Sequence, residues 1–144
     1  MLVRKSTAVW QGTLKDGKGR MSLGSGAFDG AYSFGSRFEN GTGSNPEELL
    51  GAAHAGCFSM ALAHALSQAG FPPREVATEA RVTLDRTAEG FTITRSDLVT
   101  KADVPGIDAA LFARLAEEAK KGCPVSRALK GVEISLQAKL NSRG

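Results

Sequence analysis

Cysteine is scarce in this sequence, which has two cysteines in 144 residues. Cys57 and Cys123 are 66 positions apart (123 minus 57), so there is no Cys-X-X-Cys motif. This absence excludes the redox site of thioredoxin-like proteins. Together with His54 and His64, the two cysteines match in number the four ligands of a tetrahedral zinc site. Their spacing fits no zinc finger, however, so we expect no metal.

Dense charge of one sign is also missing. Lys and Arg total 18 and Asp and Glu total 15, which leaves a formal net charge of +3. The basic residues are scattered, and the tightest pair, Lys120 and Lys121, falls at the C-terminal end of a predicted helix, where cations favour the dipole. Nucleic-acid binding needs a clustered basic patch and a recognised motif. We therefore expect no nucleic-acid partner.

The sequence has no uninterrupted apolar run of the roughly 18 residues that span a bilayer. Residues 1–5 also lack the apolar segment of a secretory signal. We therefore expect a cytoplasmic protein with no membrane partner. Thiols in the cytoplasm are normally kept reduced. The hydrophobic fraction of 42% can supply a core, and the length predicts a single domain over residues 1–144.

Apolar periodicity and turn residues predict an α+β fold. Asp16 and Gly17 form a strong hairpin signal, and alternating apolar residues mark strands on both sides of a long helix. Strands separated by hairpins favour a mainly antiparallel sheet. The predicted strands are 7–14, 20–23, 32–38, 75–85, 91–100 and 132–140, and the predicted helices are 45–68, 109–121 and 124–130.

The helix predicted for residues 45–68 has an unusual composition. Asn45 can cap it, Pro46 fits its first turn, and two glutamates follow at the positive end of the dipole. Residues 49–66 carry no charged side chain and are apolar nearly all round. Such a helix is buried on most faces. We predict a central helix covered by sheet and, if the chain dimerises, by a second subunit.

The cysteines alone do not decide the function. Free cysteine is among the most buried residue types, so Cys57 on an Ala- and Leu-rich helix is usually an inert core residue. Cys123 precedes Pro124 at a predicted helix start, a position that lowers the pKa of a thiol. His54, one turn from Cys57, could line a reactive site, but a core histidine with buried partners is the commoner case.

Two segments carry a more specific signal. Residues 45–61 read Asn-Pro-Glu-Glu-Leu-Leu-Gly-Ala-Ala-His-Ala-Gly-Cys-Phe-Ser-Met-Ala, and residues 121–126 read Lys-Gly-Cys-Pro-Val-Ser. They resemble the two signature segments of the osmotically inducible protein C (OsmC) family. Residues 10–12 and 104–108 resemble this family as well, so the likeness covers essentially the whole chain. The details look closer to the OsmC branch than to the related organic hydroperoxide resistance (Ohr) branch.

The resemblance implies an activity and roles for four residues. Cys57 matches the peroxidatic cysteine and Cys123 the resolving cysteine. Arg37 matches the arginine beside the reactive thiol, and Glu47 matches the carboxylate that holds this arginine. The implied protein is an intertwined homodimer with an OsmC-like fold. It would reduce organic hydroperoxides to alcohols in stress defence through a cysteine sulfenic acid and an intramolecular disulfide, using an external dithiol, with the lipoyl type one candidate, and no cofactor.

Physical chemistry agrees with those roles. Burial raises the pKa of a thiol, whereas an adjacent guanidinium lowers it. A buried arginine in turn needs a carboxylate partner. Apolar side chains from Leu49, Phe58 and Met60 would favour alkyl hydroperoxides over hydrogen peroxide. The alternative is a non-enzymatic redox sensor or apolar-ligand-binding dimer, which would not need both cysteines.

Overall fold

The computed structural model describes residues 1–141. The chain divides into two compact units, Met1–Leu49 and Leu50–Gly144. The single domain expected from the chain length stays a prediction.

The first unit contains a three-stranded antiparallel sheet with the strand order β1-β2-β3. The strands are β1 (Ser6–Gln11), β2 (Lys18–Leu23) and β3 (Asp29–Tyr32). Gly19 lies opposite Trp10 and Tyr32, whose ring centroids are 5.4 Å apart. A Cβ atom at position 19 would lie within 2.6 Å of both rings, so glycine is required where the two aromatic side chains pack across β2.

The prediction of a third strand at 32–38 is wrong over most of its length. The strand ends at Tyr32, and residues Phe34–Phe38 form the short helix α1. A reciprocal capping box explains the change: the Ser33 hydroxyl accepts from the Ser36 N–H at 3.1 Å, and the Ser36 hydroxyl accepts from the Ser33 N–H at 2.8 Å. These bonds fix the first turn of a helix where the apolar pattern indicated a strand.

The long helix α2 (Pro46–Gln68) begins in the first unit and continues in the second. Its predicted start is confirmed, because the Asn45 side chain accepts the Glu48 N–H at 2.7 Å. Its end is confirmed as well. Gly70 adopts a φ of +92°, which favours glycine, and Pro72 and Pro73 follow.

The second unit is a three-stranded sheet with two further helices. β4 (Glu75–Thr87) and β5 (Gly90–Asp103) are antiparallel, whereas β6 (Glu133–Leu140) runs parallel to β5. The parallel pairing needs a crossover, which α3 (Ala109–Gly122) and α4 (Pro124–Ala128) supply. The α+β class is confirmed, and antiparallel pairing predominates as predicted.

One face of α2 forms the core of the second unit. Its buried residues pack in a cluster with side chains of β5 and α3: Phe58, Leu62, Leu66, Leu98, Ala102, Phe112 and Ala116. Gly51 lets the helix approach β4 closely, because a Cβ atom there would already lie 3.4 Å from the Ala80 carbonyl oxygen. The helix is therefore central to this unit, as predicted.

The opposite face of α2 is not covered by residues 1–141 of the single chain. Ala52, Ala53, Gly56, Met60 and His64 are exposed, and Met60 is 76% exposed. Burial on most faces was therefore predicted too broadly for one copy of the chain. Among the described residues, α2 is also the one helix long and apolar enough to cross a membrane, a property that core helices of folded domains share.

Candidate active site

Two thiols that are far apart in the sequence meet in the second unit. Cys57 lies midway along α2, and Cys123 lies between α3 and α4, where its N–H closes the last turn of α3 on the Ala119 carbonyl at 2.9 Å. Cys57 packs against the buried cluster that contains Cys123, each thiol shifts the pKa of the other, and the two do not form a disulfide. Cys57 is half-buried and Cys123 is fully buried. Only Cys57 can therefore meet a reagent from solvent.

The pKa values of the two thiols move in opposite directions. Burial raises the pKa of Cys57, the hydrogen bond with Cys123 raises it further, and the Val125 backbone and the Arg127 charge oppose this only partly. Burial also acts to raise the pKa of Cys123. Hydrogen bonding with Cys57, Val125 and Ser126 outweighs it and leaves the pKa of Cys123 below its usual value. The surroundings therefore favour the thiolate form of Cys123 and disfavour that of Cys57.

After the interaction with Cys57, the position of Cys123 at a helix start is the next cause of its lowered pKa. The residue caps the N-terminus of α4, and Pro124 occupies the first turn, where a backbone N–H is not needed. The backbone groups of Val125 and Ser126 belong to this first turn, and both lower the pKa of Cys123. A helix start favours a thiolate, so these backbone contributions act in the direction predicted from the sequence.

Arg37 and Glu47 form an ion pair in the first unit. Arg37 is in the last turn of α1 and Glu47 in the first turn of α2, with 2.8 Å between Nε and Oε1. The Glu47 side chain is only 10% exposed, and its Oε2 has no hydrogen-bond partner among residues 1–141. The pairing implied by the resemblance is thus present. Its role at the thiol stays a prediction.

An aromatic cavity of about 410 Å³ lies beside this arginine in the first unit. Its wall includes Trp10, Tyr32, Phe34 and Phe38 together with Arg37. The Arg37 guanidinium carbon lies 5.3 Å from the centre of the Phe38 ring, a cation–π distance. The cavity therefore combines an apolar surface with one guanidinium.

Of the apolar surroundings predicted from Leu49, Phe58 and Met60, the contribution of Phe58 is wrong, and those of Leu49 and Met60 stay predictions. Phe58 has no exposed surface and belongs to the core, so it cannot contact a substrate. Met60, three residues after Cys57 on α2, is 76% exposed. Side chains three positions apart on a helix are neighbours, so Met60 can still lie beside Cys57.

His54 is fully buried between three elements of the second unit. Its Nδ1 lies 2.6 Å from the Ser96 hydroxyl on β5, and its Nε2 lies 2.8 Å from the Ser126 hydroxyl on α4. Burial lowers its pKa, so the ring is neutral near pH 7. The predicted core histidine with satisfied partners is confirmed.

Sequence reasoning missed Ser126 and Ser96. Ser126 bonds to His54, and its hydroxyl also contributes to the low pKa of Cys123. One sequence signal could have identified it, because Ser126 stands three residues after Cys123, the spacing of a capping box. Ser96 is 42 positions from His54 and gives no local signal.

Comparison with known proteins places this geometry in a family. The sequence model of the OsmC-like protein family matches residues 39–137. The chain is 49% identical over 140 residues to the peroxiredoxin OsmC of Escherichia coli (strain K12), covering 96% of this chain and 97% of that protein. It is 33% identical over 98 residues to the organic hydroperoxide resistance protein of Xanthomonas axonopodis pv. citri, covering 67% of each.

A solved structure shows the same fold. The organic hydroperoxide resistance protein OhrB of Bacillus subtilis matches with a TM-score of 0.72 at 24% identity. The match covers 95% of this chain and 98% of that one.

Proposed function

This chain belongs to the OsmC family, and on that premise we propose that it is a cysteine peroxidase that reduces organic hydroperoxides to alcohols. The observation that carries the proposal is a pair of neighbouring free thiols, one half-buried and one fully buried at the start of α4. An inert core cysteine would need neither the second thiol nor the helix start beside it.

The proposed cycle has three steps. The Cys57 thiolate attacks the distal oxygen, the O–O bond breaks, and the alkoxide leaves and takes a proton to become the alcohol. Cys57 is then a sulfenic acid. The Cys123 thiolate attacks the Cys57 sulfur, the S–O bond breaks, and hydroxide leaves and is protonated to water. An external dithiol reduces the resulting disulfide by thiol exchange.

The first step requires a cation near Cys57. Burial raises the pKa of this thiol, and the Arg127 charge lowers it only in part. We propose that Arg37, held by Glu47, supplies the missing positive charge and hydrogen-bonds the hydroperoxide. Support comes from the 2.8 Å ion pair, which orients the guanidinium at the wall of the aromatic cavity. No resident cofactor takes part in this scheme.

We expect purified protein to consume cumene hydroperoxide with dithiothreitol or dihydrolipoamide as reductant. The value of kcat/KM should exceed that for hydrogen peroxide by about tenfold to a hundredfold, the effect of burying one aromatic ring. Coupled consumption of both peroxides by one preparation measures the ratio. A clear preference for hydrogen peroxide would contradict the proposed substrate class.

Two further outcomes decide between this function and the alternative. Oxidation of the thiols by one equivalent of hydroperoxide, without turnover on either dithiol, would favour a redox sensor. No thiol oxidation at all would overturn the peroxidase proposal.

We propose a homodimer, because the single chain exposes an apolar face of α2. The exposed residues Ala52, Ala53, Gly56 and Met60 are small or apolar, and small residues let a second backbone approach closely. Sedimentation at micromolar concentration should give the mass of two chains, and Met60→Glu should shift the equilibrium towards one chain. A native mass of one chain, about 15 kDa, would contradict the proposal.

A further inference from the structure

A series of buried polar side chains leads from the sheet towards the Cys123 thiol. Hydrogen bonds join Ser96 on β5 to His54 on α2 and His54 to Ser126 on α4, and Ser126, in the first turn of the helix that Cys123 caps, lowers the pKa of Cys123. The exposed fractions of the four residues are 1%, 0%, 5% and 0%. The three-step cycle above uses only the last of them. The cycle assigns no part to the other three, which are joined by two short hydrogen bonds and end at Ser126, a residue that lowers the pKa of Cys123.

The direction of these hydrogen bonds follows from the neutral state of His54. A neutral imidazole has one N–H donor and one acceptor nitrogen. If the proton is on Nε2, the Ser96 hydroxyl donates to Nδ1, Nε2–H donates to the Ser126 oxygen, and the Ser126 hydroxyl donates to the Cys123 sulfur. If the proton is on Nδ1, the Ser126 hydroxyl must donate to Nε2 and is lost to the sulfur.

A thiolate on Cys123 selects between the two tautomers. A hydrogen bond to an ionised acceptor is roughly twice as strong as one between neutral groups. The arrangement with the proton on Nε2 is the one that offers the Ser126 hydroxyl to this charge. Each member then donates once in the same direction, towards the sulfur.

We propose that His54 is a positioning residue that acts through Ser126 to keep Cys123 as a thiolate aimed at Cys57. This inference rests on the proposed peroxidase function, because it assigns the device to the disulfide-forming step. The Cys57 sulfenic acid must be captured before a second hydroperoxide oxidises it to the sulfinic acid, which is hard to reverse. A resolving thiol that is already ionised shortens the time during which the sulfenic acid can react with a second hydroperoxide.

The proposed stabilisation of the Cys123 thiolate has the opposite effect on the first step, the attack of Cys57 on the hydroperoxide. Negative charge held on Cys123 repels charge on its neighbour, and the pKa of Cys57 is raised in part by this interaction. Removing the Ser126 hydroxyl should therefore leave sulfenic acid formation unchanged or faster, while it slows disulfide formation. General damage to the fold would slow both steps, so the two rates separate the explanations.

The test compares Ser126→Ala and His54→Leu with two reference variants. His54→Gln keeps an amide N–H near the Nε2 position and should retain most of the native behaviour. Ser59→Ala removes a hydroxyl on α2 that takes no part in the series. In the native protein this hydroxyl donates to the Thr78 hydroxyl at 2.7 Å. Acid-quenched mass spectrometry after one equivalent of cumene hydroperoxide gives the two rates. Thiolate absorbance against pH, with Cys57→Ser added, gives the pKa of Cys123.

We expect Ser126→Ala and His54→Leu to slow disulfide formation by about tenfold or more, the size of a lost hydrogen bond to a charged acceptor. The pKa of Cys123 should rise in both, and sulfinic acid should accumulate on Cys57. Unchanged rates and pKa in Ser126→Ala would overturn the inference, as would an equal change in Ser59→Ala. If the native protein consumes no hydroperoxide, the proposed function fails, but the absorbance titration still decides whether His54 and Ser126 stabilise the thiolate.

Discussion

Replacing Cys57 with serine is expected to reduce hydroperoxide consumption to the background rate. A serine hydroxyl is not ionised near neutral pH and forms no sulfenic acid, so neither the first nor the second step can proceed. The Cys123→Ser variant should behave differently. With dihydrolipoamide it should consume about one equivalent of hydroperoxide per chain and then stop, because the sulfenic acid lacks its internal partner.

These contrasting results depend on access rather than on acidity. In the reduced pair, Cys123 is the more acidic thiol, which by itself would make it the better nucleophile. Its sulfur, however, has no exposed surface, whereas Cys57 is only half-buried. A hydroperoxide can therefore reach Cys57 alone. We therefore expect Cys57 to attack first and Cys123 to resolve, although Cys57 is the thiol with the raised pKa.

A stopped assay with mass spectrometry on both variants checks this assignment, and thermal unfolding of each variant checks that the fold is retained. Turnover by Cys57→Ser together with inactivity of Cys123→Ser would reverse the two roles. Equal activity of both variants would exclude the two-cysteine cycle.

The sequence predicts the elements of this fold better than their arrangement. The start of α2 at Asn45 and its end at Gly70 follow from local capping and turn chemistry, and both are correct. The helix at Phe34–Phe38 was missed because two serines, Ser33 and Ser36, override a strand-like apolar pattern. The parallel β5–β6 pairing depends on where the crossover of α3 and α4 returns, and no local pattern carries that information.

The candidate site is likewise only partly predictable from the sequence. Spacing alone could not bring Cys57 and Cys123 together, because tertiary packing of α2 against the α3–α4 junction sets their contact. The resemblance supplied that pairing in advance. It did not supply the partners of His54, since the two serines reach it from β5 and α4 only in the folded chain.

Arg37→Leu is expected to lower kcat/KM for cumene hydroperoxide at pH 7 by about tenfold to a thousandfold. An opposite charge within a few ångströms lowers a pKa by about one to three units, and each unit changes the thiolate fraction tenfold when the thiol is mostly protonated. Arg37→Lys keeps the charge but loses the planar guanidinium that Glu47 holds at 2.8 Å, so we expect a smaller loss. The matched control is Arg20→Leu, whose ion pair with Asp29 lies in the same unit and is more than half exposed on both sides.

The loss of activity in Arg37→Leu should depend on pH. Without the guanidinium the pKa of Cys57 rises, so the missing thiolate returns as the pH increases towards the new pKa. The deficit of Arg37→Leu should therefore shrink at alkaline pH, whereas a defect in substrate binding would persist at every pH. A loss of less than about threefold at pH 7, with no pH dependence, would contradict the role of Arg37 as the activating cation. Arg127, whose charge already lowers the pKa of Cys57 within the second unit, would then be the residue to replace.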